Sequence, residues 1–174
     1  DLHSFPTRRS SDLLVFALNM MLIQLQPEKD TILFLDPCFP VQKMQCSVIG
    51  SKIDAFDIAD FRGPKLRDEL EKHLKTGRIA GILYSSPNNP SWMCLTDDEL
   101  RTIGELATKY DTIVLEDLAY FNMDFRDPDR GHPYAEPYQP SVGHYTHNSI
   151  QLLSCSKMFS YAGQRAAFVA IDPV

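Results

Sequence analysis

Short apolar segments alternate with helix-forming segments along most of this chain, and this alternation restricts the possible folds more than any other feature. The apolar segments are rich in β-prone residues and stop at turn signals such as Asp36-Pro37. Most of them lack a strict apolar–polar alternation, which is typical of strands covered on both faces. We predict strands over residues 31–35, 52–58, 79–84, 112–115, 149–153 and 166–171. Strands separated by helices form βαβ units, so the sequence predicts an α/β fold, a three-layer αβα arrangement around a mainly parallel sheet.

The intervening segments carry helix signals. Residues 14–26 are apolar nearly all round, which predicts a helix buried on most sides. Residues 40–49 and 64–74 also predict helices, and a capping box at Thr96 begins a fourth helix that ends near residue 110. Residues 121–148 have no periodicity and are too long for an ordinary connection, so we expect a functional or interface loop there.

The two ends of the chain differ from the rest. Residues 1–13 resemble a translated sequencing-library adapter rather than natural protein, and we exclude them from the fold. The chain also stops at the end of an apolar run, at Pro173-Val174. We therefore expect residues 14–174 to be an internal piece of a longer gene product that forms one domain.

Composition and charge exclude several classes of protein. The net charge of −6, without a basic run, disfavours a nucleic-acid partner, and no apolar run is long enough to span a membrane. The four cysteines form no C-x-x-C pair, so we expect reduced thiols and a cytoplasmic location. The chain lacks the glycine-rich motifs of dinucleotide and P-loop sites and the G-x-S-x-G nucleophile elbow.

Three histidines in the long loop have a spacing that fits no compact metal site, and three neighbouring tyrosines favour an interface instead. We therefore predict no metal site. These residues are His132, His144, His147, Tyr134, Tyr138 and Tyr145.

Polar residues that could take part in binding or catalysis follow three of the predicted strands. Asn89, Asp117 and Lys157 each come within a few residues of the end of an apolar run. Ligands of open α/β sheets bind beyond the carboxyl ends of the strands, so this shared placement predicts one common site. Each residue alone is a weak signal, because aspartates commonly cap helices, asparagines form turns and lysines are mostly solvated.

The motifs around these residues resemble one family when they are taken together. In chain order they are Asp36-Pro37-Cys38-Phe39-Pro40, Pro87-Asn88-Asn89-Pro90, Asp117-Leu118-Ala119-Tyr120 and Ser154-Cys155-Ser156-Lys157 followed by Arg165. This set is similar to the motifs of the class I/II aminotransferases, which are fold type I pyridoxal-phosphate (PLP) enzymes. The resemblance covers residues 14–174 and implies an incomplete PLP-binding large domain without the C-terminal small domain.

The resemblance implies a catalytic role for three residues. Lys157 would hold PLP as a Schiff base and later move a proton between the substrate and the cofactor. Asp117 would keep the pyridine nitrogen of PLP protonated, so that the ring acts as an electron sink. Tyr120 would donate a hydrogen bond to the phenolic oxygen of PLP, as would Asn89.

The remaining cofactor contacts follow from the same resemblance. Ser154, Ser156 and Arg165 would bind the phosphate, and Phe39 would stack on the pyridine ring. The chain departs from the family where Ser91-Trp92 replaces the usual Thr-Gly, which affects loop shape and substrate contacts more than cofactor binding. A second, milder departure is Ala166-Ala167, where the family often has a glycine.

The implied activity is transfer of an amino group between an amino acid and a 2-oxo acid, the EC 2.6.1 type of amino-acid metabolism. In the family, a glycine/serine-rich phosphate loop precedes Leu14, a C-terminal arginine binds the substrate carboxylate, and a homodimer completes the site. We therefore expect residues 1–174 to be inactive alone. Two alternatives stay open: another fold type I enzyme, such as a C–S lyase or an acyl-CoA condensing synthase, or the PLP-sensing domain of a transcription regulator.

Overall fold

A computed structural model describes residues 10–125 and 136–172 of the chain. The helices are α1 (Ser10–Leu25), α2 (Pro40–Ile49), α3 (Lys65–Leu74), α4 (Asp97–Lys109) and α5 (Cys155–Met158). The strands are β1 (Thr31–Asp36), β2 (Lys52–Asp57), β3 (Ile79–Ser85), β4 (Ile113–Leu118), β5 (Ser149–Ser154) and β6 (Ala167–Ile171). Short 3-10 helices cover Ile58–Phe61, Val142–His144 and Ala162–Gln164.

The strands form one mainly parallel sheet, as the alternation of segments predicts. In the described residues the order is β2-β1-β3-β4-β5-β6, and β6 is antiparallel to β5 while the other neighbours are parallel. The register places Asp117 of β4 between Ser85 of β3 and Leu152 of β5. The carboxyl ends of β3, β4 and β5 therefore lie side by side at one edge.

Helices cover both faces of the sheet, which confirms the three-layer αβα prediction. Leu33 and Leu35 of β1 pack with residues of α3 and α4, while Ile32 and Phe34 pack with residues of α1 and α2. Side chains of a strand point alternately to opposite faces, so one apolar run supplies both cores. Each such fully buried side chain stabilises the fold by about 2 kcal/mol.

Local signals place two helix ends correctly. Gly50 ends α2 in the left-handed conformation with φ 76°, where a residue without a Cβ is favoured. The capping box of α4 is present, because Thr96 Oγ1 accepts from the Glu99 main-chain N–H and Glu99 Oε2 accepts from that of Thr96. Both boundaries confirm the sequence prediction.

The start of α1 corrects a prediction. The helix begins at Ser10 rather than Leu14, and Asp12 is buried with its carbonyl oxygen 2.9 Å from Gln45 Nε2. Residues 10–13 therefore form the first turn of α1, whereas the sequence prediction began this helix at Leu14. Residues 1–9 lie outside the described residues, and the non-native origin of 1–13 stays a prediction.

The described helices also bear on membrane insertion. Within residues 10–125 and 136–172, none of the helices combines the length and the apolar character that crossing a bilayer requires.

Candidate active site

Two loops that carry predicted site residues follow β1 and β3, where the strand order reverses. The chain leaves β1 toward β2 on one side and then returns to form β3 on the other side, which creates a crevice beyond the carboxyl ends of β1 and β3. Asn88 Nδ2, in the loop after β3, donates to the Pro37 carbonyl oxygen in the loop after β1 at 2.7 Å. This hydrogen bond joins the two loops that flank the crevice.

Asp117 lies inside β4 rather than after it. The prediction that this strand ends at Leu115 was wrong, because hydrogen-bonding neighbours on both sides carry β4 on to Leu118. Asp117 is only 8% exposed. Its Oδ2 accepts from Gln42 Nε2 at 2.9 Å, and its Oδ1 accepts from the Ala119 main-chain N–H at 3.1 Å. Two donors from different elements thus fix the plane of this carboxylate.

Tyr120 and Lys157 lie close to each other. Tyr120 lies in the turn after β4, and Lys157 lies in α5, directly after β5. The Lys157 ammonium nitrogen is 6.0 Å from the centre of the Tyr120 ring. The Trp92 ring contacts the same tyrosine edge-on, with ring centres 5.3 Å apart. Lys157 is exposed, so its amine is accessible from solvent.

The two serines predicted to bind phosphate have different surroundings. Ser154 Oγ accepts from the Ser156 main-chain N–H and caps α5. Ser156 Oγ is buried and has no hydrogen-bond partner among the described residues. A buried hydroxyl without a partner is costly, which makes Ser156 Oγ a donor available to a ligand.

Arg165 comes near this turn through its backbone. Ala167 pairs with Ser154, and the Cys155 main-chain N–H donates to the Ala166 carbonyl oxygen at 3.1 Å. Arg165 itself is exposed and left-handed, with φ 56°. Within the described part of the chain, no hydrogen bond joins its guanidinium to either serine.

Phe39 and Asn89 lie in the loops on either side of the crevice. Phe39 is half-buried and is the N-cap residue of α2, where its carbonyl oxygen accepts from the Gln42 main-chain N–H at 3.1 Å. The Asn89 main-chain N–H donates to Ser85 Oγ at 3.3 Å. Since Ser85 pairs with Asp117, both predicted residues belong to elements that adjoin the buried carboxylate.

Sequence reasoning missed Gln42 and gave Asn88 no role beyond a turn. A signal for Gln42 existed, because it follows Phe39 by three residues and so lies on the first turn of α2. The Gln42–Asp117 hydrogen bond joins residues 75 positions apart, and no local pattern reveals such a partner.

The Cys38 thiol, in the loop after β1, is a poor nucleophile because its pKa is raised. Burial, together with the neighbouring Asp36 carboxylate, raises the pKa of the Cys38 thiol to about 12. This thiol therefore stays protonated at neutral pH, whereas the thiolate is the reactive form.

The described residues contain no group of three or more His, Cys, Asp or Glu side chains that could hold a metal ion. His147 Nδ1 lies 2.7 Å from Asp172 Oδ2, and the His144 ring lies against that of Tyr145. His132 and Tyr134 lie outside the described residues, so the interface prediction for this loop stays a prediction.

Several known proteins are similar to this chain in sequence. The kynurenine/alpha-aminoadipate aminotransferase of mouse mitochondria (Mus musculus) is 31% identical over 109 residues, which cover 57% of this chain and 26% of that protein. The aspartate aminotransferase of Pyrococcus horikoshii is 28% identical over 142 residues, which cover 80% of this chain and 34% of that protein. The chain thus spans about a quarter to a third of the length of these relatives.

Solved structures share the fold. A tetra mutant of Thermus thermophilus aspartate aminotransferase superposes with a TM-score of 0.75 at 16% identity, covering 94% of this chain and 42% of that one. A PLP-bound C–S lyase from Staphylococcus hominis gives 0.67 at 19% identity, covering 90% and 40%. The family model described as "Aminotransferase class I and II" matches residues 15–174. Since this match spans nearly the whole sequence, the chain belongs to the class I and II aminotransferase family.

Proposed function

We propose that the protein containing this chain is a PLP-dependent aminotransferase of the EC 2.6.1 type, which moves an amino group between an amino acid and a 2-oxo acid. Family membership supports the reaction class. The observation that carries the proposal is the position of Lys157 beside Tyr120. Tyr120 in turn follows the buried Asp117 by three residues. The amine and the phenol thus lie beyond two neighbouring parallel strands, β5 and β4, and the carboxylate lies near the carboxyl end of β4.

The residues of the site fit PLP. Ser156 Oγ is a buried hydroxyl without a partner in the part of the chain that the structure describes, as suits a donor to a phosphate oxygen. Asp117 offers a buried, oriented carboxylate to a cationic ring nitrogen. Phe39, whose carbonyl oxygen accepts from the main-chain N–H of Gln42, offers an uncharged aromatic ring, which is suited to stacking.

PLP, when bound, supplies an electron sink that stabilises negative charge at the α-carbon of an amino acid. Lys157 would anchor the cofactor and then act as the general base that takes the α-proton. Asp117 would hold positive charge at the ring nitrogen, and the Tyr120 hydroxyl and Asn89 amide would donate to the phenolic oxygen. Ser154 and Arg165 would join Ser156 at the phosphate, where a guanidinium can form two parallel hydrogen bonds.

The proposal includes a cytoplasmic homodimer that acts in amino-acid metabolism. Free thiols at all four cysteines support a reducing compartment. The large apolar side chains of Phe159, Phe168 and Ile171 are more than half exposed, which supports their being covered by further protein in the complete assembly.

The test uses the full-length protein with added PLP. We expect visible absorbance from the lysine-bound cofactor, loss of this absorbance in Lys157→Ala, and its retention in Lys75→Ala, an exposed lysine that pairs with Glu71 on α3. With amino acids and 2-oxo acids as substrates, we expect a new 2-oxo acid and a new amino acid as products. A Lys157→Ala variant that keeps the absorbance contradicts the proposal, and release of ammonia and a thiol instead indicates a lyase.

A further inference from the structure

We infer that Gln42 is a positioning residue, which holds the Asp117 carboxylate in the orientation that a cationic ring nitrogen needs. This inference rests on the proposed function, because it assigns Gln42 a role toward the PLP ring. It extends the site to a residue that touches neither the substrate nor the reacting atoms.

The hydrogen bond between the two side chains is direct and shielded from water. Gln42 Nε2 lies 2.9 Å from Asp117 Oδ2, and the two residues are 2% and 8% exposed. The Ala119 main-chain N–H holds the other carboxylate oxygen at 3.1 Å. Because each oxygen has its own N–H donor, rotation of the carboxylate breaks at least one hydrogen bond in a buried setting, where such losses are costly.

Helix α2 holds Gln42 rigidly and links it to the predicted stacking residue. The Gln42 main-chain N–H donates to the Phe39 carbonyl oxygen at 3.1 Å, and Lys43 pairs with Asp36 at 2.5 Å. One helical turn therefore carries both the Phe39 ring and the amide that orients Asp117. Any shift of this turn would move the two groups together.

A neutral donor suits this position better than a charged one. An amide N–H orients the carboxylate without neutralising it, since glutamine carries no charge at any pH. A lysine or arginine here would pair with Asp117 and compete with the positive charge on the ring nitrogen. Glutamine thus leaves the negative charge of Asp117 available to the cofactor.

The test replaces Gln42 with methionine, which has similar length and no N–H donor, in the full-length protein. Loss of a hydrogen bond to a charged group predicts an increase of about tenfold in the dissociation constant of PLP and a decrease of about tenfold in kcat. We expect KM to change by less than about threefold, because the Gln42 side chain donates to Asp117 and acts only through it. The pH midpoint of the visible absorbance should move upward, because a less protonated ring nitrogen withdraws less charge from the lysine nitrogen.

Gln45→Met is the matched control. Gln45 is on the same helix, is 1% exposed, and donates to the Asp12 carbonyl oxygen instead of Asp117. We expect this variant to lower the temperature of unfolding while PLP affinity and the pH midpoint stay unchanged. Gln42→Glu is the second test variant, for use if Gln42→Met does not fold. It removes both N–H donors of the side-chain amide and places a second carboxylate beside Asp117. We therefore expect PLP affinity to fall further than in Gln42→Met.

The outcomes separate this inference from the proposed function. If Lys157→Ala abolishes the absorbance while a folded Gln42 variant keeps PLP affinity within about twofold and the same pH midpoint, the inference is wrong and the proposed function stands. An equal effect of Gln45→Met on PLP affinity and the pH midpoint also overturns the inference, because the role of Gln42 would then be structural only. If Lys157→Ala keeps the absorbance, the proposed function itself fails.

Discussion

Two adjacent carboxylates in β4 have opposite surroundings. Asp117 adjoins the crevice and accepts from Gln42, whereas Glu116 accepts from the Tyr84 hydroxyl and from Ser141 on the other side of the sheet. The alternation of side chains along a strand separates the two groups. One strand thus supplies both a site residue and a buried structural acid.

At the same scale, Ser156→Ala tests the phosphate role of an unpartnered hydroxyl. We expect the free energy of unfolding of the cofactor-free protein to stay within about 0.5 kcal/mol of the unsubstituted value or to rise, because Ser156 Oγ has no partner to lose within residues 10–125 and 136–172. We expect the PLP dissociation constant to increase about tenfold, since a hydrogen bond to a charged phosphate is lost. Chemical denaturation and PLP titration measure the two effects.

Ser154→Ala is the control for this prediction. Ser154 Oγ accepts from the Ser156 main-chain N–H, so its loss should destabilise the cofactor-free protein by about 1 kcal/mol. A Ser156→Ala variant that is destabilised as much as Ser154→Ala, with unchanged PLP affinity, contradicts the phosphate role.

At the scale of elements, Glu116 of β4 accepts hydrogen bonds from the segment before β5 and so holds this segment against the sheet. Ser141 Oγ donates to Glu116 Oε2 at 2.5 Å, and the Val142 main-chain N–H donates to the same carboxylate. Val142 is fully buried against the core formed with α3 and α4. The segment that follows the long loop is therefore anchored where it reaches the sheet.

This anchor predicts a pH dependence of stability. Burial raises the pKa of Glu116 from 4.5 to about 7, against hydrogen bonds from Ser141, Tyr84 and Val142 that lower it. Between these values the folded chain keeps a proton that the unfolded chain has lost. The contribution of Glu116 to stability is therefore full below about pH 4.5 and falls, by on the order of 3 kcal/mol, as the pH rises to about 7.

Glu116→Gln removes this titration. Urea denaturation at a series of pH values measures the free energy of unfolding of both proteins. We expect the difference, unsubstituted protein minus variant, to decrease as the pH rises from about 4.5 to about 7. For Glu99→Gln the same difference should stay constant over this range and decrease only as the pH falls below about 4.5. Burial raises the pKa of Glu99, but hydrogen bonds from Arg62, Gly63 and Thr96 lower it on balance, so its contribution is lost as the pH falls. Equal pH trends for the two variants would contradict the prediction.

At the scale of the whole molecule, we predict that purified residues 1–174 have no measurable transaminase activity. The chain spans 26% and 34% of the length of the two relatives compared above, and β6 exposes large apolar residues such as Phe168 and Ile171. Groups that bind the substrate carboxylate and much of the phosphate would come from outside this segment. Formation of a 2-oxo acid by the purified chain above the rate of free PLP would contradict this prediction.

Local signals predicted most of the fold because they depend on neighbouring residues only. The bounds of α2 follow from Pro40 and Gly50, and the start of α4 follows from its capping box at Thr96. The end of β4 was not predictable in the same way. Glu116 and Asp117 look like loop residues, and only partners from other elements allow them to continue a buried strand.

The sequence by itself determined the α/β class, the order of the elements and the motif set that places this chain in its family, because strand, helix and turn preferences act over a few residues. The tertiary structure alone decided how the site is supported. It placed Gln42 against Asp117, brought Lys157 to Tyr120 and left the Ser156 hydroxyl buried without a partner among the described residues. These contacts join residues distant in sequence, and their geometry exists only once the strands are aligned in one sheet and the helices are packed against it.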